Sequence, residues 1–338
     1  MKKYIFSIVF VYLSSFSIFG QYKSDVLGND FVSRTFLMND DYEGKVISTL
    51  IKKIPSNIES KTALLYVHGY NDYFFQKQMA QKIDSAGYNF YAVDLRKFGR
   101  SLDTNLQYPF NVRSINEYFA DIDSAINIIR NEGNEKIILM GHSTGGLITS
   151  LYVNANKNNL KIDALILNSP FLDMNLGWFK ENILIPIVSF LGKWFPNIKI
   201  PQGSSSAYAE SLLKEYNGEW NYNTDWKYII SPSVTAGWIR AIHLGQNLIQ
   251  KGLDIPIPVL VMFSDKSVYG DKWNDDFNNG DSVLDVDDIE KYGKKLGKNV
   301  TEVVVPDGLH DLALSNFKAR NLFYSTIFAF LDEYHLGR

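Results

Sequence analysis

Gly141-His142-Ser143-Thr144-Gly145-Gly146 brings a hydroxyl, an imidazole and three glycines into one short segment. A serine becomes a useful nucleophile only when its hydroxyl stands clear of the backbone and a base can take its proton. The segment follows an apolar run ending at Met140 and precedes a helix-like stretch from Leu147 to Asn154. That strand–turn–helix setting is the one a nucleophile elbow requires. Residues without bulk beside the serine permit the tight turn, and the N-terminus of the following helix favours developing negative charge.

Acyl transfer also needs N–H donors aimed at the oxyanion. His68-Gly69-Tyr70, at the end of the Tyr66-Val67 strand, is suited to this, and in such an arrangement the backbone N–H groups of Tyr70 and Thr144 supply the hole. Five histidines could serve as the base. His68 and His142 belong to the two turns, His243 falls in a helical stretch, and His335 lies in the C-terminal tail. His310, in the loop Pro306-Asp-Gly-Leu-His310-Asp311 after the last strand, returns over the sheet edge towards Ser143 and is the expected base. For the acid that orients it there are two candidates, Asp265 just past a strand and Asp281 before a short turn into a helix. Asp281 is favoured, and either choice gives the chain order Ser, Asp, His.

The elements needed to position these residues are legible as alternating buried strands and helix-period segments, the mark of a mostly parallel, doubly wound α/β sheet. Thr62–Val67, Asn89–Val93, Lys136–Met140, Ile162–Leu167, Ile257–Met262 and Val300–Val305 read as strands. Ser114-Ile-Asn-Glu117 reads as a capping box before a helix with apolar positions at Ile115, Tyr118, Phe119, Ile122, Ile126 and Ile129. Between Pro170 and Pro256 the rhythm stops, and Trp178, Trp194, Trp220, Trp226 and Trp238 all lie there. The expected organisation is therefore a signal segment at 1–20, a core at 21–170, a mainly helical cap at 171–255 and the rest of the core at 256–338.

Composition narrows the function classes. With 34 Lys+Arg against 37 Asp+Glu among 338 residues, the net charge of −3 gives no electrostatic case for nucleic acid. The absence of cysteine excludes a thiol nucleophile and thiolate metal sites. An Asp- and Asn-rich insertion at 271–288 invites a calcium reading. An EF-hand loop registered on Gly280 starts at Asp275, however, and places Phe277 and Val286 at ligand positions, where neither can coordinate. No metal and no cofactor is expected. Met1-Lys2-Lys3 followed by the apolar run Tyr4–Phe19 has the parts of a secretory signal, with cleavage expected near Gly20. A retained membrane anchor is the alternative, although the run is short for a span, which needs about 20 residues.

Taken together, His68-Gly69-Tyr70, Val93-Asp94-Leu95-Arg96, Gly99-Arg100-Ser101, the Gly141–Gly146 turn and His310 resemble the α/β-hydrolase superfamily. The resemblance covers roughly Gly44 to Leu331 and is to the lysophospholipase and monoacylglycerol lipase-like branch, also grouped with serine aminopeptidases. It implies cofactor-free hydrolysis of esters or amides, with Ser143 as nucleophile, His310 as base and Asp281 as orienting acid. Two departures stand out: Lys97-Phe98 where the family usually has glycine and histidine, and a long insertion before Gly280. A lipid-like ester is the expected substrate. The apolar stretches Trp178-Phe179, Ile183–Ile185 and Val188–Phe195 suit an acyl chain or transient contact with a membrane surface, or equally packing on the core. A serine aminopeptidase would need carboxylates for the substrate ammonium, with Glu181, Glu210, Glu215 and Glu219 as candidates. An inactive, hydrolase-like binding protein is the alternative of another class.

Overall fold

The structure, a computed structural model, describes residues 20–337. The expected export segment, up to Phe19, lies outside the described residues. In chain order the first half contains β1 (Lys23–Asp25), β2 (Gly28–Leu37), β3 (Ile47–Lys53), β4 (Thr62–Val67), α1 (Lys77–Ser85), β5 (Asn89–Asp94), α2 (Phe119–Asn131), β6 (Lys136–His142), α3 (Thr144–Ala155) and β7 (Ala164–Asn168). There follow α4 (Ile185–Leu191), β8 (Lys199–Ile200), α5 (Ala207–Leu212), β9 (Val234–Thr235) and α6 (Ala236–Lys251). The chain then returns through β10 (Val259–Ser264), α7 (Val286–Gly293), β11 (Val300–Val305) and α8 (Phe317–Glu333).

Nine strands form one sheet in the order β1-β2-β3-β5-β4-β6-β7-β10-β11. From β5 to β11 every neighbouring pair is parallel, while β1, β2 and β3 add an antiparallel edge. The central strands are buried on both faces, which explains their nearly continuous apolar sequences. Ala63, Leu65 and Val67 of β4 join the core under α2, α3 and α6, whereas Leu64 and Tyr66 point into the core under α1 and α8. The order reverses about β4, because the chain passes to β5 on one side and then to β6 on the other. Open α/β sheets place their sites in the crevice beyond the strand C-termini at such a reversal.

The antiparallel edge is the part of the sheet that the sequence reading did not resolve into strands. The burial of β2 alternates weakly and much of it is exposed, so its apolar pattern is faint. Buried ion pairs join this edge to the core: Arg100 donates to both Asp25 and Asp94. The departure at Lys97 belongs to the same region. Its backbone takes φ +65°, and its fully buried ammonium lies 2.7 Å from Asp41 and 2.6 Å from Glu43, at ion-pair distances without hydrogen-bond angles. The expected helix after Ser114 begins as a 3₁₀ turn, Ile115–Tyr118, with the capping box formed, and continues as α2.

Between β7 and β10 the chain rises over the C-terminal edge of the sheet. A π-turn (Lys180–Leu184) leads into α4, α5 follows, and β8 pairs with β9 as a short antiparallel ribbon before α6. Tyr70 packs on Trp238 of α6 at 4.8 Å and on Phe110 of the core at 5.0 Å, so aromatic contacts fasten this layer to the sheet.

In the first turn of α7, burial, with Asp173 and Asp285 nearby, pushes the Asp288 carboxyl up to about 6 from 3.8. A raised folded-state value means that the wild type loses stability as pH climbs through about 6, where this half-buried group must ionise. Asp288→Asn is therefore expected to stabilise the chain by about 1 kcal/mol at pH 8, after discounting for solvent screening, and to give no gain near pH 4. Thermal melts of the two proteins across that range measure the difference.

Candidate active site

The turn from β6 into α3 holds Ser143 at φ 52° and ψ −120°, a conformation that an L-residue adopts only under strain. Its backbone is tied on both sides: Ser143 N–H donates to the Asn168 carbonyl at 3.0 Å, and Ser143 O accepts from Phe171 and Gly146. The glycines are needed for close approach. A Cβ at Gly141 would lie 2.4 Å from Thr149 Oγ1, and one at Gly145 would lie 2.4 Å from the carbonyl oxygens of Val67 and His68. No side chain fits at either position, so the turn can close this tightly only with glycine.

His310 follows β11, and its Nδ1 lies 2.9 Å from Asp281 Oδ2. The other Asp281 oxygen accepts the N–H groups of Val283 and Leu284, both at 2.8 Å. This carboxylate is fully buried and all its contacts come from donors, so it holds the imidazole with the proton on Nδ1 and leaves Nε2 as the acceptor. Asp265 makes no such contact: it is exposed and accepts the Asp307 N–H at 2.8 Å. The long insertion does not break the arrangement, because Asp281 N–H donates to Lys266 O and Val268 N–H to Asp281 O, which tie the residue back beside β10.

The other histidines play different parts. His68 Nε2 accepts the Leu95 N–H at 3.1 Å, so its proton is on Nδ1 and is donated to Gly69 O at 2.8 Å, which fixes the loop before Tyr70. His142 Nδ1 contacts the Asn168 carbonyl at 3.1 Å, and its ring lies 4.8 Å from that of His310. Burial holds His142 below the ordinary histidine value, against the pull of Asp311. His243, on α6, contacts Asn247 through Nε2, and His335 follows α8 in the tail.

Beneath His310 is a polar network that the sequence reading missed. Asp311 accepts from Gln76 Nε2 (3.0 Å), Asn168 Nδ2 (2.8 Å) and Ala313 N–H (3.1 Å). Burial raises the Asp311 carboxyl, but His142 and these amides outweigh it, and the net direction is down. Its only sequence signal was adjacency to His310.

Ser143, Thr144, Tyr70 and His310 all open into one cavity of about 540 Å³ between the sheet edge and the cap. Among the described residues, the N–H groups of Tyr70 and Thr144 meet no acceptor. Phe171, Met174, Leu184, Ile185, Val188 and Trp238 give the cavity its apolar walls, and Lys227, Tyr208 and Tyr222 make a more polar end. The Tyr208 ring stands edge-on to His310 at 5.7 Å.

A parallel sheet with a reversed strand order, a serine on a strained strand-to-helix turn and a histidine after the last strand together define an α/β-hydrolase. The sequence profile described as serine aminopeptidase, S33, matches residues 58–312, and the chain belongs to that family. Solved structures with the same fold include a soluble variant of monoglyceride lipase from Saccharomyces cerevisiae in complex with a substrate analog. It has TM-score 0.63 and 18% identity, over 89% of this chain and 96% of that one. The monoacylglycerol lipase of Paleococcus ferrophilus gives 0.58 at 18% identity, over 80% and 94% of the two chains. Est1E from Butyrivibrio proteoclasticus gives 0.54 at 15%, over 89% and 99%. A search of curated proteins finds no match. The chain is thus a hydrolase of the α/β-hydrolase fold.

Proposed function

We propose that the protein is a serine hydrolase that cleaves carboxylic esters of lipid-like substrates, of the monoacylglycerol or lysophospholipid type. The observation that carries this reading is that Ser143 and His310, whose Nδ1 is held by the buried Asp281, open into a single, largely apolar cavity. Ser143 attacks the ester carbonyl while His310 takes its proton. The oxyanion rests on the Tyr70 and Thr144 N–H groups, the alcohol leaves with the proton held on His310, and water then releases the acyl group from Ser143. A volume of about 540 Å³ lies within the range of pockets that enclose ligands of drug or acyl-chain size.

The aminopeptidase alternative is less well supported. No Asp or Glu lines this cavity among the described residues, so a substrate ammonium would find no carboxylate there. Glu181 accepts the Leu176 and Gly177 N–H groups, Glu210 accepts from Ser206, Glu219 pairs with Arg320, and Glu215 is exposed.

The cap's apolar run has two faces. Leu184, Ile185 and Val188 line the cavity, whereas Trp178 (70%), Phe190 (65%) and Trp194 (65%) are exposed beside Phe179, Ile187 and Phe195. Apolar surface of this kind, with Lys180 and Lys193 beside it, supports transient docking of the cap on a membrane surface. No helix among the described residues is long and apolar enough to cross a membrane. We place the protein outside the cytoplasm, exported by its basic and apolar N-terminus, on the strength of that sequence alone.

Purified protein incubated in parallel with monoacylglycerol, lysophospholipid, p-nitrophenyl esters and proline arylamide tests the assignment. Turnover of the esters is the expected result. Release from the arylamide alone would replace the esterase reading with the aminopeptidase one, and an inert chain would leave only a binding role.

A further inference from the structure

The loop that carries the Tyr70 amide is gripped by one segment of the cap. Between Asn223 and Pro232 the cap chain runs beside Tyr70–Tyr73 and bonds to each of those four residues. The Tyr70 hydroxyl donates to Pro232 O at 3.2 Å. The Asn71 side chain behaves as an inserted peptide group: Nδ2 donates to Tyr228 O at 2.8 Å and to Ser231 Oγ at 3.0 Å, while Oδ1 accepts the Tyr228 N–H at 2.8 Å. Asp72 Oδ1 accepts from Lys227 Nζ at 3.0 Å, with both side chains nearly buried. The Tyr73 hydroxyl accepts the Asn223 N–H at 2.8 Å, and the Tyr73 ring meets Trp226 edge-on.

Aromatic packing of Tyr70 on Phe110 and Trp238, and of Tyr73 on Phe75, holds the rings, but the loop's backbone is held differently. Among the described residues, Tyr70–Tyr73 make no well-formed backbone–backbone hydrogen bond. Asn71 also sits at φ +47°, in the left-handed region that asparagine tolerates better than other residues with a side chain. The Thr144 amide, by contrast, belongs to the elbow and is fixed by the sheet and α3. The same cap segment reaches the base side of the site, since Lys227 Nζ lies 5.6 Å from the Tyr208 ring, whose edge packs on His310.

We propose that Asn71 and the Asp72–Lys227 pair are positioning residues for the oxyanion site: the cap segment aims the Tyr70 N–H, and the donor pair is complete only while that segment is seated. This rests on the acyl-transfer reading above. Oxyanion donors act only within a few tenths of an ångström of the developing charge, and a misplacement of about 1 Å costs about 10²-fold in rate. Asn71, Lys227, Tyr228 and Ser231 also border the cavity, but a misaimed Tyr70 N–H acts where the oxyanion forms, so its loss alters the transition state more than binding of the ester.

Three variants test this. Asn71→Gly deletes the amide clamp yet tolerates the positive φ, Lys227→Met deletes the ion pair, and Lys227→Arg retains it. The readouts are kcat and KM for p-nitrophenyl butyrate, the thermal midpoint, and inhibition by an aryl trifluoromethyl ketone, whose hemiketal oxygen occupies the oxyanion position. Asn71→Gly is expected to lower kcat about 10- to 100-fold with KM within about 3-fold, and to weaken the ketone by the same factor as kcat/KM. Lys227→Met is expected to move the same way, with Lys227→Arg back within about 3-fold of wild type. If Asn71→Gly keeps kcat within about 2-fold, or loses kcat while binding the ketone unchanged, the proposal is overturned whatever the Lys227 variants do. A wild-type chain that neither hydrolyses the ester nor binds the ketone overturns the hydrolase reading itself, which is a different result from a dispensable clamp.

Discussion

Ser143→Ala is expected to reduce kcat for p-nitrophenyl butyrate by about 10⁴- to 10⁶-fold, with the folded state intact. The size of the loss follows from the site having one nucleophile. Ser205, Ser231 and Tyr208 also border the cavity, but none of them sits at a strand-to-helix elbow. What remains after the substitution is the contribution of binding and of the Tyr70 and Thr144 amides, which leaves some rate above that in water. The backbone supplies a companion result. At φ 52° and ψ −120° a glycine is at ease where serine is strained, so Ser143→Gly should be as inactive as the alanine variant yet more stable than wild type by about 1 kcal/mol. Urea titration of the three proteins measures that difference, and a destabilised glycine variant would mean that the turn stores no strain.

Asp281→Asn is expected to lower turnover by about 10⁴-fold, while Asp265→Asn stays within about 2-fold of wild type. The reason lies in the hydrogen bonds around Asp281. Its Oδ1 accepts two backbone N–H groups, from Val283 and Leu284, so the asparagine carbonyl must take that position. The amide NH₂ then faces His310 Nδ1, where the carboxylate oxygen had been. Two donors cannot share that contact, so the imidazole proton moves to Nε2, and the nitrogen that should accept from Ser143 is already protonated. Asp265 faces only the Asp307 N–H, a bond that asparagine retains. Steady-state kinetics on both variants separate the two carboxylates, and a loss confined to Asp265→Asn would reverse the assignment.

How much of this could be read from the chain depends on whether the signal was local. The elbow was legible because strand, glycines and helix are contiguous in sequence and each demands a particular residue type. The central strands were legible because burial on both faces makes them uniformly apolar, as in Thr62–Val67 and Val259–Ser264. β2 was not read as a strand, since much of it faces solvent and its alternation is interrupted, and in the mostly buried β3 the residues Ser48, Thr49, Lys52 and Lys53 break the apolar run. Between Asp265 and Asp281 the sequence favoured one without deciding, because an insertion of Asp, Asn and Gly hides how the chain folds back. Hydrogen bonds between Lys266, Val268 and Asp281 bring the second carboxylate under His310. The cap's apolar run was ambiguous for a further reason: a helix can line a cavity with Ile185 and Val188 while exposing Phe190, and composition alone does not divide the faces. Asp311 with Gln76 and Asn168, and the grip of Tyr228 on Asn71, join residues up to 235 positions apart and leave no periodic trace.

Reaction of the folded protein with a fluorophosphonate probe, followed by peptide mass spectrometry, bears directly on whether Ser143 is the activated hydroxyl. One adduct per chain on the peptide containing Ser143, absent from Ser143→Ala, is the expected outcome. A folded chain that takes up no probe, or carries its adduct on another residue, contradicts it.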